Sequence, residues 1–341
     1  MPAISFVLPV YNMENYLPRV AASLKAQTFP DFEAIFVNDG SKDQSGAICA
    51  QLSAEDPRFR LIDQPNSGVA KARNAALDAA TGEYICFVDP DDWIEPDTAE
   101  VLYTAATKEN ADIVLYGISR DVYDSDGHCV QTSISPPNLS GVFRGAPFKE
   151  YFGTLASSFL VIGKMMRRSY LEQYHLRFPD KRLGEDGLFY VDFYRHNPSC
   201  LVGVDKPLYH YTLARNTSLS NSYHPERLKD NFYLSNAVWD VLNEWKLQDS
   251  PPHREKAYYC TVRDLQMGIK NVSIGPLSFQ QKHEWLCQTI QQPLVSEAVQ
   301  KTPLRNLHSR NDRIKLFFLK THFYRTVLLL SGTHQNKGKR K

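Results

Sequence analysis

The fold of this 341-residue chain can be inferred outward from residues 84–92, whose sequence is YICFVDPDD. The first five residues are apolar and predict a short buried strand, and Pro90 prevents a helix from running through the aspartates that follow. Residues two apart face the same side of an extended chain, so Asp89 and Asp91 can direct two carboxylates to one point. Such a pair suits Mg²⁺ or Mn²⁺, with water and substrate phosphates as further ligands. The alternative is an acidic turn in which Asp91 or Asp92 caps the next helix.

Strand-like and helix-like segments alternate around this stretch. Apolar runs at residues 4–10, 32–37, 59–63, 83–88 and 111–116 predict strands, and helical spacing appears between them. The alternation predicts an α/β fold, a mostly parallel sheet flanked by helices on both faces. Ligands of such sheets bind outside the carboxyl ends of the strands, and four polar clusters stand at such ends: residues 9–12, 39–41, 66–68 and 89–92.

The pattern changes in the last third of the chain. Helical spacing over residues 227–245, 254–272 and 277–290 predicts a helical C-terminal region. We therefore expect a catalytic α/β domain at residues 1–222 and a helical region at residues 223–341. Residues 118–182 are less regular.

Charge is unevenly distributed. Residues 301–341 hold 11 Lys or Arg and one acid, which leaves 28 of the 39 basic and 37 of the 38 acidic groups to the rest of the chain. Residues 313–330 mix large apolar side chains with cations, which favours an interfacial helix on an anionic membrane, with residues 337–341 as a second contact. The alternative is a helix packed on the body, followed by a solvated basic end.

Composition excludes several classes of protein. A net charge of +1 argues against an electrostatic nucleic-acid binder. Six cysteines without a C-x-x-C pair indicate free thiols in a reducing compartment. No signal peptide and no apolar stretch of 18 residues stands out, so we expect a cytoplasmic chain, with peripheral contact to the inner face of the membrane.

Two strand-end clusters can bind a nucleotide. Asp39 can accept a hydrogen bond from a base imide, and Gly40 permits a tight turn; the alternative is an ordinary strand-to-helix turn. Arg73 lies in the first turns of a predicted helix, a natural position for a diphosphate partner, or it is a solvated surface arginine. Neither G-x-G-x-x-G nor a phosphate-binding G-x-x-x-x-G-K-[ST] loop is present, which argues against a nicotinamide or P-loop protein.

Further polar residues follow in residues 184–218. Glu185 and Asp186 stand at the start of a predicted helix, where a carboxylate can act as a general base or merely cap the helix. The helix dipole would lower the pKa of such a carboxylate. His210, Arg215 and Ser218 are candidates for phosphate or metal contact, although a histidine among tyrosines is often structural.

Taken in order, five motifs resemble those of the inverting family-2 glycosyltransferases of the GT-A fold, above all the bacterial members that build surface polysaccharides. They are VLPVYN (residues 7–12), VNDGS (37–41), NSG with Arg73-Asn74, VDPDD (88–92) and GED (184–186). The resemblance covers roughly residues 3–220. It implies transfer of a hexose or N-acetylhexosamine from a UDP-sugar to a saccharide acceptor, expected to be lipid-linked, in polysaccharide, lipopolysaccharide or capsule synthesis.

The resemblance also implies roles for single residues. The uridine and its neighbouring phosphate would be held by Pro9, Tyr11, Asp39, Asn66 and Arg73. Asp89 would contact the ribose or the metal, and Asp91 would bind the Mg²⁺ or Mn²⁺ that bridges the diphosphate. Asp186 would be the general base, with Glu185 beside it, and His210 and Arg215 would close over the diphosphate.

One departure from the family concerns the acceptor side. Members often carry Trp-Asn before the lysine ahead of the base, whereas Ile162-Gly163-Lys164 stands here. Two other functions remain open: a non-catalytic nucleotide-sugar-binding protein of the same fold, and a nucleotidyltransferase. The second is disfavoured, because residues 11–15 replace the glycine-rich basic segment that it would need after the first strand.

Overall fold

A computed structural model describes residues 1–124, 127–145, 147–155, 160–181, 183–213, 223–228, 231–307 and 309–332. The chain forms two compact units, Met1–Asn216 and Thr217–Lys341. The domain boundary expected at residue 222 stays a prediction, since residues 214–222 lie outside the described part of the chain.

The first unit is an α/β fold, as predicted. Its strands are β1 (Ile4–Val10), β2 (Phe32–Asp39), β3 (Phe59–Gln64), β4 (Tyr84–Phe87), β5 (Trp93–Ile94), β6 (Ile113–Tyr123), β7 (Cys129–Ser135), β8 (Gly141–Arg144), β9 (Lys164–Arg167) and β10 (Cys200–Leu213). Its helices are α1 (Leu17–Lys25), α2 (Ser45–Glu55), α3 (Val69–Ala79), α4 (Thr98–Glu109), α5 (Pro147–Leu155), α6 (Arg168–Gln173) and α7 (Glu185–Arg195).

All these strands belong to one mixed sheet with the order β3-β2-β1-β4-β9-β6-β10-β5, in which β7 pairs with β6 and β8 pairs with β10. The ladders β3-β2, β2-β1 and β1-β4 are parallel, as is β6-β10. The apolar side chains of β1, β2 and β4 are buried, in keeping with a parallel sheet covered by helices. The parallel register puts the carboxyl ends of β1, β2 and β4 at one edge, where the polar clusters follow.

The described residues between 118 and 182 contain more regular secondary structure than the sequence indicated. Strand β6 continues to Tyr123 and pairs with β7, whose side chains are almost all exposed and therefore lack an alternating pattern. Strand β9 is only four residues long and lies antiparallel between β4 and β6. A short strand gives too few residues for its period to be recognised, which is why it escaped prediction.

The second unit is helical, as predicted. It comprises α8 (Tyr233–Glu244), α9 (Pro251–Ile274), α10 (Phe279–Gln291), α11 (Pro293–Lys301), α12 (Arg310–Lys320) and α13 (Tyr324–Gly332), with 3₁₀ turns at Pro225–Leu228 and Leu304–Asn306. Helix α9 supplies Val262, Leu265 and Ile269 to the core of this unit. None of the helices in the described residues is both long and apolar enough to cross a bilayer.

The sequence predicted a single interfacial helix over residues 313–330. This prediction is wrong in one respect, because the segment forms two helices. His322 adopts a left-handed conformation (φ 64°) and separates α12 from α13. Leu316 and Leu319 of α12, with Val327 and Leu328 of α13, are buried in the core of the second unit. These four side chains therefore stabilise the unit and are not available to a membrane. The predicted contact at residues 337–341 lies outside the described residues. All six cysteines are free, as expected.

Gly82 joins the end of α3 to β4 at a place without room for a side chain. A Cβ there would lie 2.5 Å from the backbone nitrogen of Ser5 and 2.7 Å from the carbonyl carbon of Ile4. The Gly82 N–H also donates to the Ser5 hydroxyl over 2.8 Å, and that hydroxyl donates to Glu33 over 2.7 Å. The close approach sets where β4 begins beside β1.

We expect Gly82→Ala to lower the free energy of unfolding by about 1–3 kcal/mol, because backbone atoms must move to admit the methyl group. Gly46→Ala is the matched control. A Cβ at Gly46 meets only the side-chain amide of Asn38, 2.8 Å away, so the methyl group displaces a side chain and not the backbone, at most at the cost of the exposed hydrogen bond between Asn38 and Asp63. Urea denaturation of both variants measures the difference. A Gly82→Ala protein as stable as Gly46→Ala would contradict the packing described.

Candidate active site

The loops that follow β1 and β2 are bonded to each other. The Asn12 N–H donates to the Ser41 hydroxyl over 3.1 Å, and the Asn12 side-chain oxygen accepts from the Lys42 N–H over 2.8 Å. Asn12 adopts a left-handed conformation (φ 54°), which asparagine tolerates better than most residues. These bonds hold two of the four polar strand ends together. Pro9 is buried in β1 at this edge, and Tyr11 is 40% exposed just beyond it.

Asp39 is buried and saturated with hydrogen bonds. Its carboxylate accepts from the Gln64 amide (2.7 Å), the Ser67 N–H (2.9 Å) and hydroxyl (3.1 Å), and the Gly68 N–H (2.9 Å). Asn66 donates to the Asp39 carbonyl over 2.9 Å. The third strand end is thereby fixed to the second, and Asp39 holds the turn that precedes α3. A nucleobase imide that displaced the Gln64 amide would exchange one of these hydrogen bonds for another.

Gly40, at which the sequence allowed a tight turn, adopts a left-handed conformation (φ 67°). A Cβ at this position would lie 2.6 Å from the Asn66 backbone nitrogen. The close approach of the two loops therefore requires glycine.

The acidic turn after β4 is anchored by β10. Asp92 is fully buried and accepts from the Tyr209 hydroxyl and from the Thr212 N–H, each over 2.7 Å. The same Tyr209 hydroxyl accepts from the Asp89 N–H over 3.0 Å. Arg19 of α1 donates to the Asp91 carbonyl over 2.5 Å and to the Thr212 hydroxyl over 2.7 Å. The backbone of the turn is thus held on two sides, and Asp89 and Asp91 remain partly exposed.

Burial and mutual repulsion disfavour ionisation of the carboxyl groups of the acidic turn. Burial, and then the charge of Asp89, raises the pKa of Asp91 to about 6. Burial, followed by the charges of Asp89 and Asp91, raises the pKa of Asp92 to about 9. A cation beside Asp89 and Asp91 would relieve this repulsion, so the pair fits a divalent metal.

The protein alone does not complete a metal site. Within the described residues, no group of three or more His, Cys, Asp or Glu side chains is placed to hold a metal ion. Mg²⁺ sites that act on phosphates often use only one or two carboxylates and take their other ligands from water and substrate. The pair Asp89 and Asp91 is consistent with this kind of site.

Arg73 connects the acidic turn to the start of α7. It is 6% exposed; its guanidinium donates to Glu185 over 2.8 Å and contacts Asp89 at 3.4 Å. The guanidinium also lies 5.3 Å from the centre of the Phe178 ring. The structure shows a buried cation between two carboxylates, so the solvated alternative is wrong, and the diphosphate role of Arg73 stays a prediction.

Glu185 and Asp186 lie in the first turn of α7, and the N-cap position is occupied by Gly184. Neither carboxylate is the cap, so that alternative is wrong. Burial raises the pKa of Asp186, although Arg73 and the Gly187 N–H act in the opposite direction. The lowering expected from the helix dipole is therefore outweighed. The Gly187 N–H donates to Asp186 over 2.8 Å.

Lys164 was noted in the sequence but not assigned to the site. It is 4% exposed, and its ammonium lies 4.3 Å from the centre of the Tyr190 ring and donates to the Leu160 carbonyl over 2.5 Å. Burial lowers the pKa of Lys164 to about 7, opposed by the charge of Asp186. Tyr190 follows Asp186 by four residues and so lies on the same face of α7. The signal for a buried lysine was its position within the apolar run of residues 160–166.

His210 lies in a different environment from the one predicted. Its Nδ1 is 2.7 Å from Asp121 and its Nε2 is 2.8 Å from Glu95. The ring stacks on Trp93 with centroids 3.5 Å apart. Both ring nitrogens are engaged by carboxylates, so a contact with a diphosphate would require one of these bonds to be exchanged. Arg215 and Ser218 lie outside the described residues.

The comparison with known proteins places these residues in a family context. The family model for glycosyl transferase family 2 matches residues 5–174. The chain is 36% identical to glycosyltransferase GlyA of Streptococcus pneumoniae over 62% of its own length and 31% of GlyA. It is 36% identical to the putative glycosyltransferase EpsH of Bacillus subtilis, over 62% of this chain and 61% of EpsH. These matches span less than two thirds of either relative.

The uncharacterized glycosyltransferase EpsJ of Bacillus subtilis is 27% identical over 100% of this chain and 98% of EpsJ.

Solved structures agree in fold. S. aureus TarS 1–349 in complex with UDP-GlcNAc superposes with a TM-score of 0.61 at 20% identity, over 98% of this chain and 92% of that one. The mannosyltransferase PcManGT from Pyrobaculum calidifontis, in complex with GDP-Man and Mn²⁺, gives 0.51 at 13% identity, over 99% and 88%. At such identities the likeness concerns the fold alone.

The buried bridge at Arg73 leads to a stability prediction. We expect Arg73→Met to lower the free energy of unfolding by about 3–5 kcal/mol, because it leaves the buried Glu185 carboxylate without its cation. Adding Glu185→Gln should recover part of the loss, which a double-mutant cycle in urea measures. The control is Arg177→Met: that guanidinium pairs with Asp78 2.7 Å away at an exposed site, so the change should stay below about 1 kcal/mol. Equal losses in the two arginine variants would contradict the role of Arg73.

The raised pKa of Asp92 predicts how stability depends on pH. The folded carboxyl keeps its proton up to a pKa of about 9, whereas the unfolded one loses it near pH 4, so the folded state binds more protons in between. Without metal, Asp92 should make stability fall as pH rises from about 4 to about 7. Above pH 7 the folded state binds fewer protons at Lys164 than the unfolded state, so Lys164 acts in the opposite direction. Asp92→Asn should flatten the slope, and the exposed control Asp78→Asn should keep it. Urea midpoints measured in EDTA across this pH range test this, and a wild-type slope in Asp92→Asn would contradict it.

Proposed function

Since this chain belongs to the family-2 glycosyltransferases and has their GT-A fold, we propose that it transfers a sugar from a UDP-linked donor to a saccharide acceptor in the synthesis of a surface polysaccharide. One observation carries the proposal: buried Arg73 joins Asp89 of the acidic turn to Glu185 of α7. The carboxylates that suit a metal ion, at the acidic turn, therefore lie beside the carboxylates that suit proton transfer, at the start of α7.

The donor end of the proposed site is the edge formed by the loops after β1, β2 and β3. Tyr11 and Asn66 are exposed there and can contact the nucleoside, while Pro9 and Asp39 shape the edge from within. Exchange of the Gln64 amide for a base imide would give Asp39 its predicted contact with uracil. The TarS complex contains UDP-GlcNAc, which supports a UDP-linked hexose or N-acetylhexosamine as donor.

The metal of the proposed reaction is Mg²⁺ or Mn²⁺ held by Asp89 and Asp91. When bound, it would neutralise negative charge on the leaving diphosphate. The Mn²⁺ in the PcManGT complex supports this assignment. In the proposed reaction, His210 and Arg215 would close over the diphosphate.

We assign the general base to Asp186. Glu185 is bonded to Arg73 over 2.8 Å and is 8% exposed, so its charge is already paired. Burial raises the pKa of Asp186, which makes it a stronger base toward an acceptor hydroxyl. Asp186 takes the hydroxyl proton as the acceptor oxygen attacks the anomeric carbon opposite the leaving UDP. One displacement inverts that carbon, so an α-linked donor yields a β-glycoside.

The acceptor is proposed to be a lipid-linked saccharide, with the protein at the cytoplasmic face of the membrane. The missing Trp-Asn before Lys164 marks the acceptor side as the part in which this chain departs from its family. The non-catalytic alternative is disfavoured by the retained Asp89, Asp91 and Asp186.

The test is release of UDP from a panel of UDP-sugars with Mn²⁺, with and without candidate acceptors. We expect release with one sugar, its loss on chelation, and a decrease of about 10²–10⁴-fold in Asp186→Asn, because the base is removed. Asp91→Asn should lose the response to Mn²⁺. Asp192→Asn is the matched control: it lies on the same helix with a 46% exposed side chain and should release UDP like the wild type.

Calorimetric binding of UDP separates the alternatives. Asp186→Asn should bind UDP like the wild type, because Asp186 acts on the acceptor. UDP binding without release from any donor would favour the non-catalytic protein. Absence of UDP binding would contradict the proposed function as a whole.

A further inference from the structure

Helices α12 and α13 and the turn between them expose large apolar side chains. Phe323 and Leu329 are each 60% exposed, Phe317 is 50% exposed, and Ile314 is 36% exposed. We call these four residues the apolar strip. The centre of the Phe318 ring lies 5.5 Å from that of Phe317 and 6.2 Å from that of Phe323, so both exposed rings pack against the same half-buried ring.

Cations share this surface. On α12, Arg310, Arg313, Ile314 and Phe317 are exposed and recur at intervals of three or four residues, which places them on one face of the helix. Leu316 and Leu319 lie on the other side and are buried in the core. Arg325 is exposed on α13, one turn before Leu329. The face therefore combines guanidinium groups with aromatic and aliphatic side chains.

Positive charge is concentrated in this part of the second unit. Residues 301–332 hold seven Lys or Arg and one acid, whereas residues 217–300 hold eight basic and nine acidic residues. The single acid, Asp312, is engaged by the Ser309 hydroxyl at 2.8 Å and by Lys315 at 3.7 Å. Residues 337–341 add four more cations in the sequence. The partner of this face must therefore be both anionic and apolar.

We propose that this face binds an anionic lipid bilayer, with the apolar strip at the headgroup boundary and Arg310, Arg313 and Arg325 on lipid phosphates. A second copy of the chain fits less well, because a two-fold contact would set the same cations against each other. A nucleic acid would match the cations but would leave Ile314 and Leu329 in water. The inference rests on the proposed function only in that a lipid-linked acceptor explains why such a contact is useful.

The experiment is co-sedimentation of the full chain with vesicles of phosphatidylcholine alone or mixed with phosphatidylglycerol. We expect binding to the mixed vesicles, weaker binding in high salt, and little binding to phosphatidylcholine alone. Arg310→Gln with Arg325→Gln should weaken binding roughly 25-fold, which corresponds to about fivefold for each cation. Phe317→Ser with Phe323→Ser should lower the bound fraction and reduce the salt-resistant part of the binding.

Matched controls remove the same chemical groups elsewhere in the second unit. Phe279→Ser replaces a 45% exposed phenylalanine at the start of α10, and Lys256→Gln replaces an exposed lysine of α9. Both should bind vesicles like the wild type. Circular dichroism and urea midpoints verify that every variant is folded.

Several results would overturn the inference: no binding to mixed vesicles, equal binding to both kinds of vesicle, or wild-type binding by the variants of the apolar strip. A dimer in solution that the strip variants dissociate would identify a second copy as the partner instead. Release of UDP from a soluble donor should be unchanged in all these variants. Failure of vesicle binding and failure of sugar transfer are therefore separate outcomes.

Discussion

The arrangement of the site depends on one buried cation. Arg73 lies between Glu185 and Asp89, with the Phe178 ring nearby. A guanidinium removed from water must be paired, and here its partners come from two separate parts of the chain. Helix α3, the acidic turn and α7 consequently keep fixed positions relative to each other. Two groups of carboxylates that would repel each other are held side by side by the charge between them.

Strand β10 contributes a second constraint. Tyr209 and Thr212 bond to Asp92, and Tyr209 also holds the Asp89 backbone. Asp92 thereby acts on the backbone of the turn, while Asp89 and Asp91 are left facing solvent. The raised pKa values of Asp91, Asp92 and Asp186 share burial as their main cause. The same burial that crowds the turn strengthens the proposed base, so both properties follow from how tightly α7 and the sheet pack.

The sequence predicted those parts of the fold that depend on short-range patterns of apolar and polar residues. Strands β1 and β2 and helix α4 follow from short-range periodicity, and the strand-end clusters meet at one edge because parallel strands end together. Partnerships between distant residues escaped prediction, since Arg73 and Glu185 are 112 positions apart and nothing near either one indicates the other. The sequence predicted a lowered pKa for Asp186, whereas the structure raises it. The reason is related: the helix dipole is a local effect, but burial is set by the tertiary structure.

If Asp39 binds the nucleobase as proposed, the hydrogen bonds that it already makes within the protein would affect nucleotide exchange. Its carboxylate already accepts four hydrogen bonds within the protein, so a nucleobase gains only the difference between a new bond and the Gln64 bond that it displaces. In the proposed function the same exchange would run in reverse as the spent nucleotide departs, and the displaced amide would return to Asp39. The contact with Asp39 would then add little to the affinity for the nucleotide and would oppose its release only weakly.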